Sequence, residues 1–312
     1  MHARLQGYLY LALAMLLVGS TVIASKIAAA GLPPFTATAL RFAIAFPCFL
    51  GLLWLHGMRL PALSGRDWAL LTVQAIAGSV GYTTLLIAGL RSASAADAAV
   101  ILGTLPVVSA AIAVLVLGER PHRMLLLTIL AAGAGVLAIA WQPGADAGGS
   151  LMGNALILGA VFCEGLFILL NKRLRTEIPP LMLSALMTGI GLAASLAPAL
   201  LEAPWTGSAG APAIWAVAYY ALVPTVGGFL LWYAGAARVS GAEASVFTAL
   251  APMSALLLAA LMLGEPVGWR QLAGMACVLA AVLALALPPA AAGRRARGPQ
   301  RGPGRAAARQ PE

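Results

Sequence analysis

One segment of the chain occurs twice, 146 positions apart and without a gap. The first copy runs from Ser94-Ala-Ala-Asp97 through Pro106, set inside an apolar run, to Gly118-Glu119. The second runs from Ser240-Gly-Ala-Glu243 through Pro252 to Gly264-Glu265. An uninterrupted offset between two apolar segments means that a structural unit has been duplicated, so the fold has to be built from two copies of it. The offset extends upstream: Gly7 matches Gly153, Gly19 matches Gly165, Lys26 matches Lys172, Pro33 and Pro34 match Pro179 and Pro180, and Gly81 and Gly89 match Gly227 and Gly235.

The unit belongs in a membrane. Of 312 residues 61% are hydrophobic and 9% charged, with a mean hydropathy of +0.93, which excludes a water-soluble domain with a polar surface. Ten apolar runs are long enough to cross a hydrocarbon core of ~30 Å as helices. They cover residues 6–26, 35–55, 67–89, 95–117, 122–141, 151–171, 180–201, 213–235, 241–263 and 268–287. The first follows Arg4 as a signal peptide would, but it is long for one and has a repeat partner in mid-chain, so it reads as a retained helix.

The expected fold is therefore an all-α membrane protein of ten transmembrane helices, arranged as two five-helix repeats over residues 1–145 and 146–289, with a tail at 290–312. Five is odd, so the second repeat enters the membrane from the opposite side and the repeats are inverted. With the N-terminus inside, fifteen of the nineteen basic residues are cytoplasmic and only Lys26, Arg91 and Arg270 are external, which sets the orientation by the positive-inside rule. Six arginines lie in the tail, whose Gly, Pro and Ala content predicts disorder. Contact with anionic lipid explains them better than nucleic acid does.

The order and duplication of three segments resemble the EamA-type branch of the drug/metabolite transporter superfamily. They are KIAAAGLPPFTATALRF (Lys26 to Phe42), the Ser92 to Glu119 stretch and its partner Ser240 to Pro266. The resemblance covers residues 6–288. It implies a bacterial inner-membrane exporter of small metabolites (amino acids, amines or drug-like solutes), with both termini cytoplasmic and the substrate in a central cavity. Inverted repeats suit such work, since two halves that exchange roles open one site first to one side and then to the other.

Among residues that could carry chemistry, Glu164 stands out. It falls in the middle of the sixth apolar run, and its repeat partner is Val18, so the duplicated architecture does not require it. A carboxyl in that position can take up a proton from one side and release it to the other, or pair with a cationic group on the substrate. Its structural alternative is a hydrogen bond to a neighbouring helix. The expected cavity lining is Ser20 and Thr21 on the first helix, Gln74 and Tyr82 on the third, Thr104 and Ser109 on the fourth, Thr225, Trp232 and Tyr233 on the eighth, and Thr248 and Ser254 on the ninth. Trp232 and Tyr233 also suit an interfacial anchor.

Pro106 and Pro252 remove backbone hydrogen bonds in mid-membrane and are expected hinges. Lys26 and Lys172 are expected to offset the dipoles at the ends of the first and sixth helices. Arg41 calls for a carboxylate from another helix, a reading preferred over recognition of an anion. Asp97 and Glu243, three residues after a serine, read as capping-box acids, and Glu119 and Glu265 as caps of the helices that follow them. Cys48, Cys163 and Cys277 each sit in a separate apolar run, so no disulfide is expected. No metal-ligand spacing, Ser/His pair or paired-Asp constellation is present, so neither a cofactor nor an intramembrane enzyme is expected. The expected partners are the bilayer, a small-molecule substrate and protons. The alternative readings are a nucleotide-sugar or phosphate-ester carrier, which would need more intramembrane cations than Arg41, and a membrane scaffold.

Overall fold

The computed structural model describes residues 2–117, 127, 130, 134, 147–171, 173–204, 210–239, 244 and 247–286. The fifth expected helix, three isolated positions apart, lies outside them, as do Glu119, Lys172, Glu243 and the tail at 290–312. Where water is absent every backbone N–H and C=O has to be satisfied within its own segment, and a helix does this. Accordingly, the regular elements among the described residues are all helical.

The helices are α1 (His2–Gly31), α2 (Pro34–Leu55), α3 (Gly65–Gln74), α4 (Tyr82–Leu90), α5 (Ala95–Gly103), α6 (Leu105–Leu117), α7 (Ala147–Asn171), α8 (Pro180–Leu201), α9 (Ala211–Tyr220), α10 (Gly228–Ala236), α11 (Leu250–Leu263) and α12 (Trp269–Ala286). Two π-helical segments, Ala75–Gly81 and Ala221–Gly227, join α3 to α4 and α9 to α10. Pro34 and Pro180 open α2 and α8 at a position where a missing N–H is harmless. Ser64 and Ser94 cap α3 and α5 by accepting from the amides of Asp67 and Asp97.

Six helices among the described residues are long and apolar enough to cross a membrane, or seven if the bent pair α5–α6 counts as one span. The expected ten are not all seen. The ninth is represented by the shorter apolar helix α11, and the fourth is broken, with a bend of 45° between α5 and α6.

The repeat is exact in the backbone. Shifting α2, α3, the first π segment and α4 by 146 positions reproduces the bounds of α8, α9, the second π segment and α10. Packing obeys the same shift. A Cβ on Gly89 would stand 2.7 Å from the carbonyl oxygen of Gly153, and one on Gly153 would stand 2.7 Å from that of Gly89, so α4 and α7 touch backbone to backbone. The equivalent pair, Gly7 and Gly235, brings α1 against α10, with a Cβ on Gly235 placed 3.0 Å from the Gly7 carbonyl oxygen. Small residues allow this approach, which supplies the dispersion contact that lipid cannot.

One end of the bundle is sealed. The largest buried cluster, which includes Val22, Leu86, Ile101, Ile157, Val217 and Ala259, packs the C-terminal part of α1 with α4, α5, α7, α9 and α11. Polar ties between elements gather at the same end. The Glu202 carboxylate accepts from the amides of Phe35 (3.0 Å) and Thr36 (2.7 Å) and from the Thr36 hydroxyl, capping α2 from the other repeat. Gly264, at φ 64°, ends α11 in the left-handed region. Glu265 then accepts from the amides of Ala95 (3.0 Å) and Ala96 (2.9 Å). It therefore caps α5 across the repeat boundary, not the helix that follows it.

Lys26 also departs from expectation. It does not close α1, which continues to Gly31. Its Nζ instead donates to the carbonyls of Leu90 (2.8 Å), the last residue of α4, and of Ala93 (2.6 Å) in the turn that follows it. Asp97 makes only half of a capping box: its amide donates to Ser94, while its carboxylate accepts from Gln271 Nε2 at 2.9 Å.

The glycine contacts give a direct test. Gly153→Val should destabilise the protein by about 1–3 kcal/mol through overpacking, seen as a lower midpoint of thermal unfolding in detergent. Gly51→Val, whose Cβ meets nothing within 4 Å, should leave the midpoint in place. Equal midpoints for the two variants would contradict the backbone contact.

Candidate functional site

A helix that bends or widens in mid-membrane exposes backbone and side chains to whatever space its neighbours leave. Four such irregularities meet here. The two π segments face one another's repeats, and the breaks at Thr104 and at Thr248–Ala249 interrupt the helices that carry Pro106 and Pro252. Between them lies a cavity of 580 Å³ to which both repeats contribute. Its walls come from α1, α2, α4, α7, the end of α9, α11, α12, both π segments and both sides of the α5–α6 bend.

The cavity gathers Thr21, Arg41, Tyr82, Ser109, Glu164, Thr225 and Thr248, together with Pro106 and Pro252. Most of the remaining wall is apolar, with Val22, Leu102, Phe167 and Ile168 among it. Glu164 lies on the same face of α7 as Val161 and Ile168, one helical repeat apart, and both of these also line the space. Among the described residues nothing donates a hydrogen bond to its carboxyl.

Arg41 is held differently from the expected carboxylate pair. Its Nε donates to Thr225 Oγ1 at 3.2 Å and its Nη1 to Thr83 Oγ1 at 2.5 Å. The guanidinium carbon sits 4.0 Å from the centroid of the Tyr220 ring. Two hydroxyls and an aromatic face, rather than an acid, orient this cation.

Six expected lining residues are elsewhere, among them Tyr233, which is exposed on the outside of α10. Ser20 is turned from the cavity, donating to the Leu17 carbonyl and bonded to the Tyr219 hydroxyl at 2.8 Å. Gln74 is fully buried and donates to the Phe167 carbonyl at 3.2 Å, with its Oε1 unpartnered. Thr104 caps the break after α5: its amide and its hydroxyl both donate to the Ile101 carbonyl, at 3.0 and 2.6 Å. Pro106 has no N–H for the Leu102 carbonyl, and at this break the Ile101 carbonyl is taken by the tighter i→i+3 turn to Thr104. Trp232 is half-buried outside the cavity. Ser254 lies outside it too, donating to the Met15 carbonyl where α11 crosses α1 beside Gly19. Lys172 and Glu243 fall outside the described residues.

Tyr220, Thr83 and Ser79 line the cavity without having been expected there. The offset could have found two of them, since Tyr220 is the repeat partner of Gln74 and Ser79 that of Thr225. Among the described residues no three His, Cys, Asp or Glu side chains converge as metal ligands would.

Comparison with known proteins gives a consistent picture. The EamA-like transporter family matches residues 5–141 and again residues 151–287. Two relatives from Bacillus subtilis (strain 168) are both described as uncharacterized transporters. YetK is 32% identical over 282 residues, covering 88% of this chain and 85% of its own. YdeK is 28% identical over 285 residues, covering 91% and 98%. A crystal structure shares the fold at a TM-score of 0.59 and 19% identity, covering 91% of this chain and 97% of the other.

The placement of the lining is testable by alkylation in a variant with Cys48, Cys163 and Cys277 replaced by Ala. Thr21→Cys and Thr248→Cys should react with a small maleimide, and Thr104→Cys and Ser195→Cys, at positions 2% and 0% exposed, should not. Equal reactivity in the four variants would displace the cavity from where it is drawn.

Proposed function

This chain belongs to the EamA-like transporter family, and from that premise we propose that it is a secondary active transporter exporting small metabolites across the bacterial inner membrane by alternating access. It carries ten spans, five from residues 1–145 and five from 146–289, with both termini and the basic tail at 290–312 in the cytoplasm. The two separate family matches and the distribution of basic residues support that arrangement. The observation that carries the functional reading is the cavity itself. It lies at the middle of the bundle, and each repeat contributes its π segment and its broken helix to the wall. A site made by both halves is opened to one side or the other when they rock against each other.

The end sealed by the large apolar cluster is then the external end, and the state described is closed to the outside. Pro106 and Pro252 are the hinges, since the breaks beside them interrupt the helices that a rocking motion has to bend. Glu164 is the coupling group: it stands in the cavity without a hydrogen bond from the described residues, so it can exchange a proton with water on whichever side the cavity opens, or meet a cationic group of the solute. Amino acids, amines and drug-like solutes fit a wall this apolar with so few polar groups. A phosphate-ester carrier is less well served, because Arg41 is the one cation among the described lining residues and a phosphate calls for several donors.

Export assayed in inverted vesicles should require a proton gradient in the wild type, and Glu164→Gln should lose the gradient-driven component. If Glu164→Gln, expressed normally, keeps both the rate and its pH dependence, Glu164 has no part in coupling.

A further inference from the structure

At the end of the bundle away from the seal, one carboxylate draws together two loops from different repeats. Asp67, in the first turn of α3, is buried. Its oxygens accept from the Ser64 hydroxyl at 2.9 Å, from the Arg175 amide at 3.2 Å and from the Thr176 hydroxyl at 2.9 Å. Apolar side chains hold the same two loops. Met58 and Ile178 pack against one buried cluster, and Leu63 and Leu174 against another. The α2–α3 loop and the α7–α8 loop therefore form one surface.

That surface carries four exposed arginines, Arg59, Arg66, Arg173 and Arg175. Among the described residues none of their guanidinium groups has a hydrogen bond or an ion pair. The charge of Asp67 is already spent on its three donors. The one other acid in this stretch of the two loops, Glu177, is exposed and leaves most of the positive charge unanswered. Helix stability does not account for Arg66, which stands in the first turn of α3, where the helix dipole disfavours a cation. Nor does the duplication require these charges. The repeat partners of Arg59, Arg66, Arg173 and Arg175 are Trp205, Pro212, Ile27 and Ala29.

Two exposed indoles flank the arginines, Trp54 at the end of α2 and Trp68 in the first turns of α3. On membrane-spanning helices such rings settle at the level of the lipid headgroups. The arginines then lie at the depth of the phospholipid phosphates, whose oxygens match the guanidinium fork.

We infer that Arg66 and Arg175, with Arg59 and Arg173 beside them, form a binding site for the headgroup of an anionic phospholipid. The occupant is a lipid because exposed Leu55 and Leu60, with the two tryptophans, rim the site with apolar surface that a soluble phosphate would leave uncovered. A bound headgroup answers charges from both repeats, and so adds a lipid bridge to the Asp67 tie. This rests on the chain's spanning a membrane and not on what it carries.

The test is thermal unfolding of the purified full-length protein in a neutral detergent, titrated with phosphatidylglycerol, phosphatidylcholine or free glycerol phosphate. Phosphatidylglycerol should raise the midpoint saturably, as a ligand of the folded state does, and the other two should not. Arg66→Gln combined with Arg175→Gln should need about tenfold or more phosphatidylglycerol for the same shift, since each arginine near a charged lipid surface contributes a factor of about five. Replacing the six tail arginines by Gln should leave the titration unchanged. The inference is overturned if phosphatidylglycerol gives no shift, if phosphatidylcholine matches it, or if free glycerol phosphate reproduces the effect. A folded double variant that titrates as the wild type overturns it too, as does loss of the response in the tail variant. Should the double variant fail to fold, Arg175→Gln alone decides in its place. It keeps the amide that Asp67 uses, and its expected loss is about fivefold.

Discussion

Backbone-to-backbone contact at paired glycines is the interaction on which the bundle depends. Between lipid-immersed helices there is no water to expel, so association rests on how closely the helices approach. The Gly89–Gly153 and Gly7–Gly235 contacts bring two pairs of helices together across the repeat boundary, at positions related by the duplication. Once these four helices are fixed, the broken and widened helices are left facing a common centre. The sealed end follows from the same approach, because small side chains such as Ala28, Ala98 and Ala213 are what fit between helices set so near.

Much of this was legible in the chain because a repeat offset constrains sequence and structure alike. The starts of α2 and α8, expected at 35 and 180 and found at Pro34 and Pro180, could be read to within a residue from Pro33-Pro34 and Pro179-Pro180. What composition could not supply was direction. Thr104 and Thr225 are both threonines in apolar runs whose hydroxyls donate back to a carbonyl of their own segment, yet only Thr225 also lines the cavity and accepts from Arg41. Rotation about the helix axis decides between them, and a π segment alters that rotation locally without leaving a compositional trace. Lys26 and Glu265 show the same limit: the group that needed capping was recognised, but the helix to which it belonged was a neighbour in space.

The polar chemistry of the cavity is asymmetric where the scaffold is symmetric. The prolines and the π segments occur in both repeats, whereas Arg41 and Glu164 each occur in one. The unequal charges, Arg41 from the first repeat and Glu164 from the second, give the enclosed space a polarity that the duplicated scaffold lacks.

The π segments also record an order of events. A π turn is what a continuous α-helix becomes when it absorbs one additional residue without breaking. Both repeats hold it at equivalent positions, Ala75–Gly81 and Ala221–Gly227, so the insertion belonged to the ancestral unit and was copied with it. The charge differences at Arg41/Met187 and Val18/Glu164 arose after the copying. In lineage, the widened wall was inherited by both halves as one piece, and their charges diverged afterwards, by gain in one half or loss from the other.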